Sequence, residues 1–390
     1  MTPLLGFLLL QLGGAIASGW VPQPIGTSID FRSVRAIDSQ VAWAGGSHGT
    51  YARTIDGGKT WHARPIAGAS LCDFWVHALS IDSAVLVSAI PPTRVYRTTN
   101  GGQTWNLQYE DRSPEVRLNG GAFWNATHGV IWGDPVQGSF LVLTTTDGGG
   151  VWHKTATGRI PKPLPGEAGI RHAAFAAQGD GNAWFGTGGG ASARIFRTTD
   201  GGVSWAATAT RLTAARDQGV LSIAFRDALN GVAVGGGGPA GGAVELCRTA
   251  NGGVTWTLPA RVPPGKIPET LVFVPHLSPP TLVGIGRTGS SFSVDGGMSW
   301  KLLGREVYEA VSFAGPVDAG WAVAHEGRIF KYASGVSRGR SLRASEDTTR
   351  IVTQPVVEKP TLGRVGGDAP KLGDAKPTPR ALRSTTEISN

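Results

Sequence analysis

The sequence predicts an all-β protein, a seven-bladed β-propeller of four-stranded antiparallel blades, and three observations carry that prediction. One eight-residue pattern, Ser/Thr-x-Asp/Asn-Gly-Gly-x-Ser/Thr-Trp, occurs at 54–61, 98–105, 198–205, 249–256 and 293–300, and a sixth copy at 145–152 departs from it only at Val151. Successive copies lie 44 to 53 residues apart, the length of one supersecondary unit in a repeat protein. Glycine supplies 58 of 390 residues, about twice its usual share, while charged residues fall to 16%, so tight turns between short strands are expected.

From the N terminus, residues 1–17 read as a cleaved export signal. An apolar run from Leu4 to Leu12 is followed by Ala15-Ile16-Ala17, a small-x-small cleavage pattern, although no Lys or Arg precedes the run. The run is short for a bilayer span and no later stretch is long enough, so no stable membrane insertion is expected after cleavage. The ring occupies 18–335. In the first unit, apolar segments 33–37, 41–45 and 49–54 lead into the repeated turn; the third unit repeats this with 118–123, 129–133 and 140–145, the fourth with 171–175, 183–186 and 194–199. A strand after each Trp completes four per unit, which is a propeller blade. The seventh unit, 307–313, 320–324 and 328–332, lacks the turn and stops at three strands. Its fourth is expected from 20–25, where Trp20 stands in for the Trp after each turn, so that the N-terminal strand closes the ring and leaves no open edge. Residues 336–390, rich in Pro, Gly, Ser and Thr, read as a disordered tail.

The net charge of +8 is divided evenly, since 335–390 holds ten basic and six acidic residues. The ring is therefore near neutral for its size, and no nucleic-acid partner is expected. Cys72 and Cys247 fall on non-adjacent blades, which predicts two buried free thiols and no metal cage. No cofactor is indicated. His48, His325 and Glu326 lie in loops of blades that become neighbours on closure, too little to define a metal site.

The turn's chemistry is readable residue by residue. Gly-Gly supplies positive φ, the Asp or Asn accepts from nearby backbone N–H groups, the flanking hydroxyls add local bonds, and the Trp packs beneath. Val151 replaces the second hydroxyl in the third copy and should weaken it. These segments resemble Asp boxes, or BNR repeats, and their form on a seven-bladed ring resembles the photosystem II stability and assembly factor family over roughly 20–335. The resemblance implies an exported, chaperone-like protein-binding platform that assists assembly of a membrane complex. Asp boxes also occur in sialidases and other glycosidases.

The face opposite the turns carries the longest connections, 62–74, 106–115, 153–169 and 206–219, so it is the expected binding face. Aligning first strands on Ile37, Ile81, Phe123, Phe175, Phe225, Phe273 and Phe313, the position four residues earlier reads Ser33, His77, Asn119, Arg171, Leu221, Glu269 and Glu309. This polar ring is expected at the mouth of the central channel, with Arg117 beside Asn119; channel walls are commonly polar without being sites. Asp134, in Gly133-Asp134-Pro135, is a further candidate or plain turn chemistry. The basic residues Arg159, Lys162, Arg211, Arg216, Arg261 and Lys266 are interleaved with Glu167, Asp217 and Glu269 and read as a solvated surface.

A sialidase-type enzyme needs an arginine trio, a Tyr nucleophile with its base and an Asp acid. Tyr308-Glu309 is the one tempting pair, and strand neighbours point to opposite faces. The expectation is a non-enzymatic, monomeric, secreted or periplasmic propeller with a protein partner in an envelope or membrane complex, the alternative being a glycan-binding or glycan-hydrolysing propeller.

Overall fold

The computed structural model describes residues 19–170, 174–237, 243–259, 267–315 and 317–333. Its strands form seven separate antiparallel sheets, each filled in chain order except for the last. First strands of adjacent blades pack against one another, so they surround the axis and the later strands run outward to the rim. Blade one is typical: Phe31–Ala36, Ala42–Gly46, Thr50–Thr54 and His62–Pro65. Second strands such as Ala42–Gly46, Ala84–Ser88 and Gly231–Gly236 are buried at every residue, because blades cover them on both faces. They consequently read as continuous apolar runs rather than as alternation. Cys72 and Cys247 are buried free thiols, and burial pushes the Cys247 thiol up to about 12. No helix among the described residues is long and apolar enough to cross a membrane.

The ring closes as the sequence predicts. Trp20–Gln23 pairs antiparallel with Ile329–Tyr332, Trp20 opposite Tyr332, and completes the sheet of Ala310–Phe313 and Gly320–Val323. The Trp20 indole lies 5.4 Å from Tyr308, 5.9 Å from Phe313 and 5.2 Å from Tyr332, centroid to centroid. Its Nε1 donates to Ser290 Oγ of blade six at 3.2 Å, so the closing strand fastens two blades.

Two expectations are corrected. Among the described residues blade five has three strands, and a single bridge between Arg248 and Thr257 stands where its fourth would begin. The chain soon reaches Pro259, which has no N–H to give to a ladder. The first strand of blade four is Phe175–Gln178 rather than 171–175; Arg171 lies outside the described residues, as do the expected signal at 1–17 and the tail at 336–390.

All six repeated turns share one geometry. Both glycines of every copy have φ between 69° and 89°, a region costly for residues with a Cβ. In the first, Thr54 Oγ1 donates to Asp56 Oδ1 at 2.9 Å and accepts from Gly58 N at 2.9 Å. Asp56 then accepts from Thr60 N at 3.0 Å and from Thr60 Oγ1 at 2.6 Å. Where Asn replaces Asp the hydroxyl bond reverses, Asn100 Nδ2 donating to Thr104 Oγ1 at 2.9 Å. In the third copy Gly150 N and Val151 N both donate to Asp147 Oδ1, which partly makes up for the absent hydroxyl.

The turns also clasp the preceding blade. A Cβ on Gly58 would come within 2.8 Å of the Trp321 ring of blade seven. Arg53 Nη1 donates to Gly101 O at 3.0 Å, Tyr51 Oη to Gly102 O at 2.6 Å, Trp184 Nε1 to Gly252 O at 2.7 Å, and Lys331 Nζ to Gly57 O at 3.1 Å. Each of these donors reaches from one blade to the carbonyls of the next turn. For Arg53 the sequence carries a repeated signal, an Arg just before the turn's first hydroxyl, at Arg53, Arg97, Arg197 and Arg248.

Candidate binding face and central channel

On the face opposite the turns, Asp134 gathers three pieces of chain. Asn119 Nδ2 donates to Asp134 Oδ1 at 2.5 Å and Gly169 N to the same oxygen at 2.9 Å, while Asp134 N donates to Arg117 O at 3.0 Å. The first and second strands of blade three are thus buckled to the connection entering blade four. The strand pairing slips at this point, between Gly133 and Pro135, since Pro135 cannot continue the ladder. The Arg117 side chain stands exposed beside the buckle.

A belt of charge crosses the same face from blade six to blade two. Glu269 pairs with Arg287 at 3.0 Å, and Glu306 pairs with Arg328. Glu309 Oε1 contacts His325 Nε2 at 2.6 Å, and His325 Nδ1 lies 3.3 Å from Asp30 Oδ1. Arg32 then stands 3.8 Å from Asp30 and 3.5 Å from Asp73. The Glu326 N–H, donating at 3.0 Å, is the main cause of the lowered Asp30 pKa; burial opposes it, and His325 and Arg32 add to the lowering. His48 bonds Ser47, and among the described residues His48, His325 and Glu326 do not form a group that could hold a metal ion. Tyr308 is buried among aromatic rings, and loss of hydration raises its pKa, which separates it from Glu309.

The single polar ring expected at the channel mouth resolves into two levels. Strand pairing aligns Ala36, Ala78, Phe123, Ala177, Phe225, Phe273 and Phe313. Alignment on Ile37, Ile81 and Phe175 was therefore out of register. Ile37 and Ile81 follow their strands in connecting turns, where alternation no longer reports facing, and Phe175 begins its strand. Asn119, Leu221, Glu269 and Glu309 do share a level near the loop face. Ser33 instead ties two blades, accepting from Val76 N at 2.8 Å. His77 sits three residues further down the channel, level with Arg35, and Arg35 is a residue that the sequence reading missed.

Glu167 also departs from expectation. Its side chain is fully buried, where it accepts from Arg194 Nε at 2.8 Å, Thr187 Oγ1 at 2.5 Å and Leu164 N at 2.7 Å, with a second contact to Arg194 Nη2. It anchors the 153–169 connection and is no part of a solvated arc. Arg216 faces Asp217 at 4.0 Å on the surface, and Arg261 and Lys266 fall outside the described residues.

Fold and face together define a seven-bladed propeller with an ionic loop surface. No family model matches the chain and no curated protein matches it. Among solved structures it is similar to YCF48 from Cyanidioschyzon merolae, with a TM-score of 0.58 and 17% identity over 81% of this chain and 98% of that one. It is equally similar to YCF48 bound to D1 peptide, TM-score 0.56 and 16% identity over 82% of this chain and 98% of that one. A GH74 xyloglucanase from Xanthomonas campestris also matches, TM-score 0.53 and 16% identity, over 79% of this chain but 52% of that one. At these identities the likeness concerns the fold, and at that level the resemblance to the assembly-factor propellers holds.

Proposed function

We propose that this protein is an exported, non-enzymatic propeller that binds another protein through its loop face during assembly of an envelope or membrane complex. The observation that carries the reading is the charged belt, in which acids and bases on half-exposed side chains are already matched to one another. Such a surface reads the charge pattern of a partner and sets association rate and register. The YCF48 structures support the reading, because they align with this chain over almost their whole length and one of them holds a peptide.

The GH74 likeness favours a second reading, a glycan-active propeller. Inverting or retaining hydrolysis needs one carboxyl group held protonated near neutral pH. Among the described residues, every Asp or Glu with a shifted pKa is shifted down: Asp30, Asp56, Glu110, Asp147, Asp200, Asp227 and Asp295. What favours binding is coverage, since the alignment takes in 98% of the YCF48 chains and 52% of the xyloglucanase.

The test is affinity capture from detergent-solubilised envelope of the source organism, with residues 18–390 as bait beside an Arg32→Glu/Arg117→Glu variant. A membrane-complex subunit retained by the wild type and depleted at least tenfold by the variant is the expected result. Identical protein profiles from both baits, or release of reducing sugar from xyloglucan, would overturn the reading.

A further inference from the structure

Three first-strand side chains on consecutive blades stand at one level of the channel. Ser312 of blade seven pairs with Trp321, Arg35 of blade one with Trp43, and His77 of blade two with Val85, each one residue before the aligned strand position. The equivalent residues in blades three to six are Ala122, Ala176, Ala224 and Val272. At this level blades seven, one and two carry polar residues, Ser312 being largely buried, and blades three to six carry small apolar ones.

Arg35 lies on an innermost strand, surrounded by protein, yet its side chain is open to water, which places it in a solvent-filled channel. Its guanidinium has no hydrogen bond or ion pair among the described residues. With no protein counter-charge beside it, this cation makes the channel attractive to an anion. His77 Nε2 is buried with no hydrogen-bond partner, and its ring lies 6.0 Å from Phe123. Burial, reinforced by the Arg35 charge, pushes His77 down to about 3, so the ring is neutral. Ser312 Oγ accepts from Ala36 N at 3.1 Å, which leaves its O–H to donate.

The level thus offers one fixed positive charge, a neutral imidazole and a hydroxyl. A guanidinium pairs in two-point fashion with a planar carboxylate, whereas a phosphate dianion would bring a second charge that nothing there answers. The alanines and Val272 suit a small alkyl group beside the anion. We propose that the central channel binds a carboxylate bearing a small apolar substituent at the level of Arg35, His77 and Ser312. The source is either a free short acid or the C-terminal residue of a chain. This site is independent of the loop-face reading.

Isothermal titration of residues 18–390 with isobutyrate, N-acetyl-Ala-Ala-Ala, its C-terminal amide and inorganic phosphate tests the proposal, with the His77 imidazole resonances reporting location. At least one carboxylate is expected to bind and shift His77. Arg35→Gln should weaken it tenfold or more at unchanged melting temperature, and Arg35→Lys should weaken it less, because charge survives while the two-point geometry is lost. Binding of the peptide acid but not isobutyrate identifies a chain terminus; binding of isobutyrate identifies a free acid. Absence of carboxylate binding, undiminished binding by Arg35→Gln, binding that leaves His77 unmoved, or tighter binding of phosphate would each overturn it.

Discussion

Asp200 shows how much a single residue of the repeated turn does. Its Oδ1 accepts from Ser204 N at 2.9 Å and from Thr198 Oγ1 at 2.7 Å, and its Oδ2 accepts from Ser204 Oγ at 2.5 Å. Partial burial pushes its pKa up, but these donors outweigh it and the net shift is downward. Asp200→Ala should therefore cost about 1–3 kcal/mol in a denaturant melt, while Asp200→Asn, which copies Asn100 and Asn251, should cost less than about 1 kcal/mol. The same chemistry sets a pH dependence. Asp56 is held down at about 2, first by the Thr60 hydroxyl and then by the Thr60 N–H. Because the folded pKa lies below the unfolded value near 4, its contribution is complete above about pH 4 and is lost as pH falls toward 2. Thermal melts at pH 7, 4, 3 and 2 should show that loss, and replacing Asp56, Asp147, Asp200 and Asp295 with Asn should flatten it. These turns were legible in the sequence since the partners of each Asp or Asn side chain fall within the same eight residues. Glu167 was not, because nothing local marks it off from an exposed glutamate, and its partner Arg194 is 27 residues away.

Among the elements, strands were easier to read than their registers. The first strand of blade three was read as 118–123 and is Leu118–Phe123; the first strand of blade two was anchored on Ile81, which is 43% exposed in the turn beyond the strand. Apolar character places a strand, but pairing decides which residue faces its neighbour. The long connections follow the same division, their length being plain and their anchors hidden. Glu167→Ala leaves Arg194 without its buried partner and should destabilise by about 3–5 kcal/mol. The Glu167→Ala/Arg194→Ala double variant should lose less than the sum of the two single losses. Urea titration of the three variants measures this, and strict additivity would show that the pair does not anchor the 153–169 loop.

At the scale of the whole molecule, closure rests on four residues at the start of the ring. Removing the Trp20 indole deletes three aromatic contacts and the bond to Ser290 Oγ. Trp20→Ala should lower stability by about 3 kcal/mol. Hydrogen exchange should quicken first in Trp20–Gln23 and Ile329–Tyr332, where the clasp opens, and a uniform change over all blades would contradict this account.

The sequence by itself determined the number of blades, their strand order, the geometry of six turns and the strand that closes the ring, because each of these follows from short-range patterns repeated along the chain. Only the tertiary structure decided that Asn119 and Asp134 share a buckle, that Glu309 and Asp30 flank His325, and that His77 stands beside Arg35 in the channel rather than at its mouth. These pairings join residues 15 to 295 positions apart. They depend on register, and a slip of one residue exchanges the two faces of a strand while leaving its apolar composition unaltered.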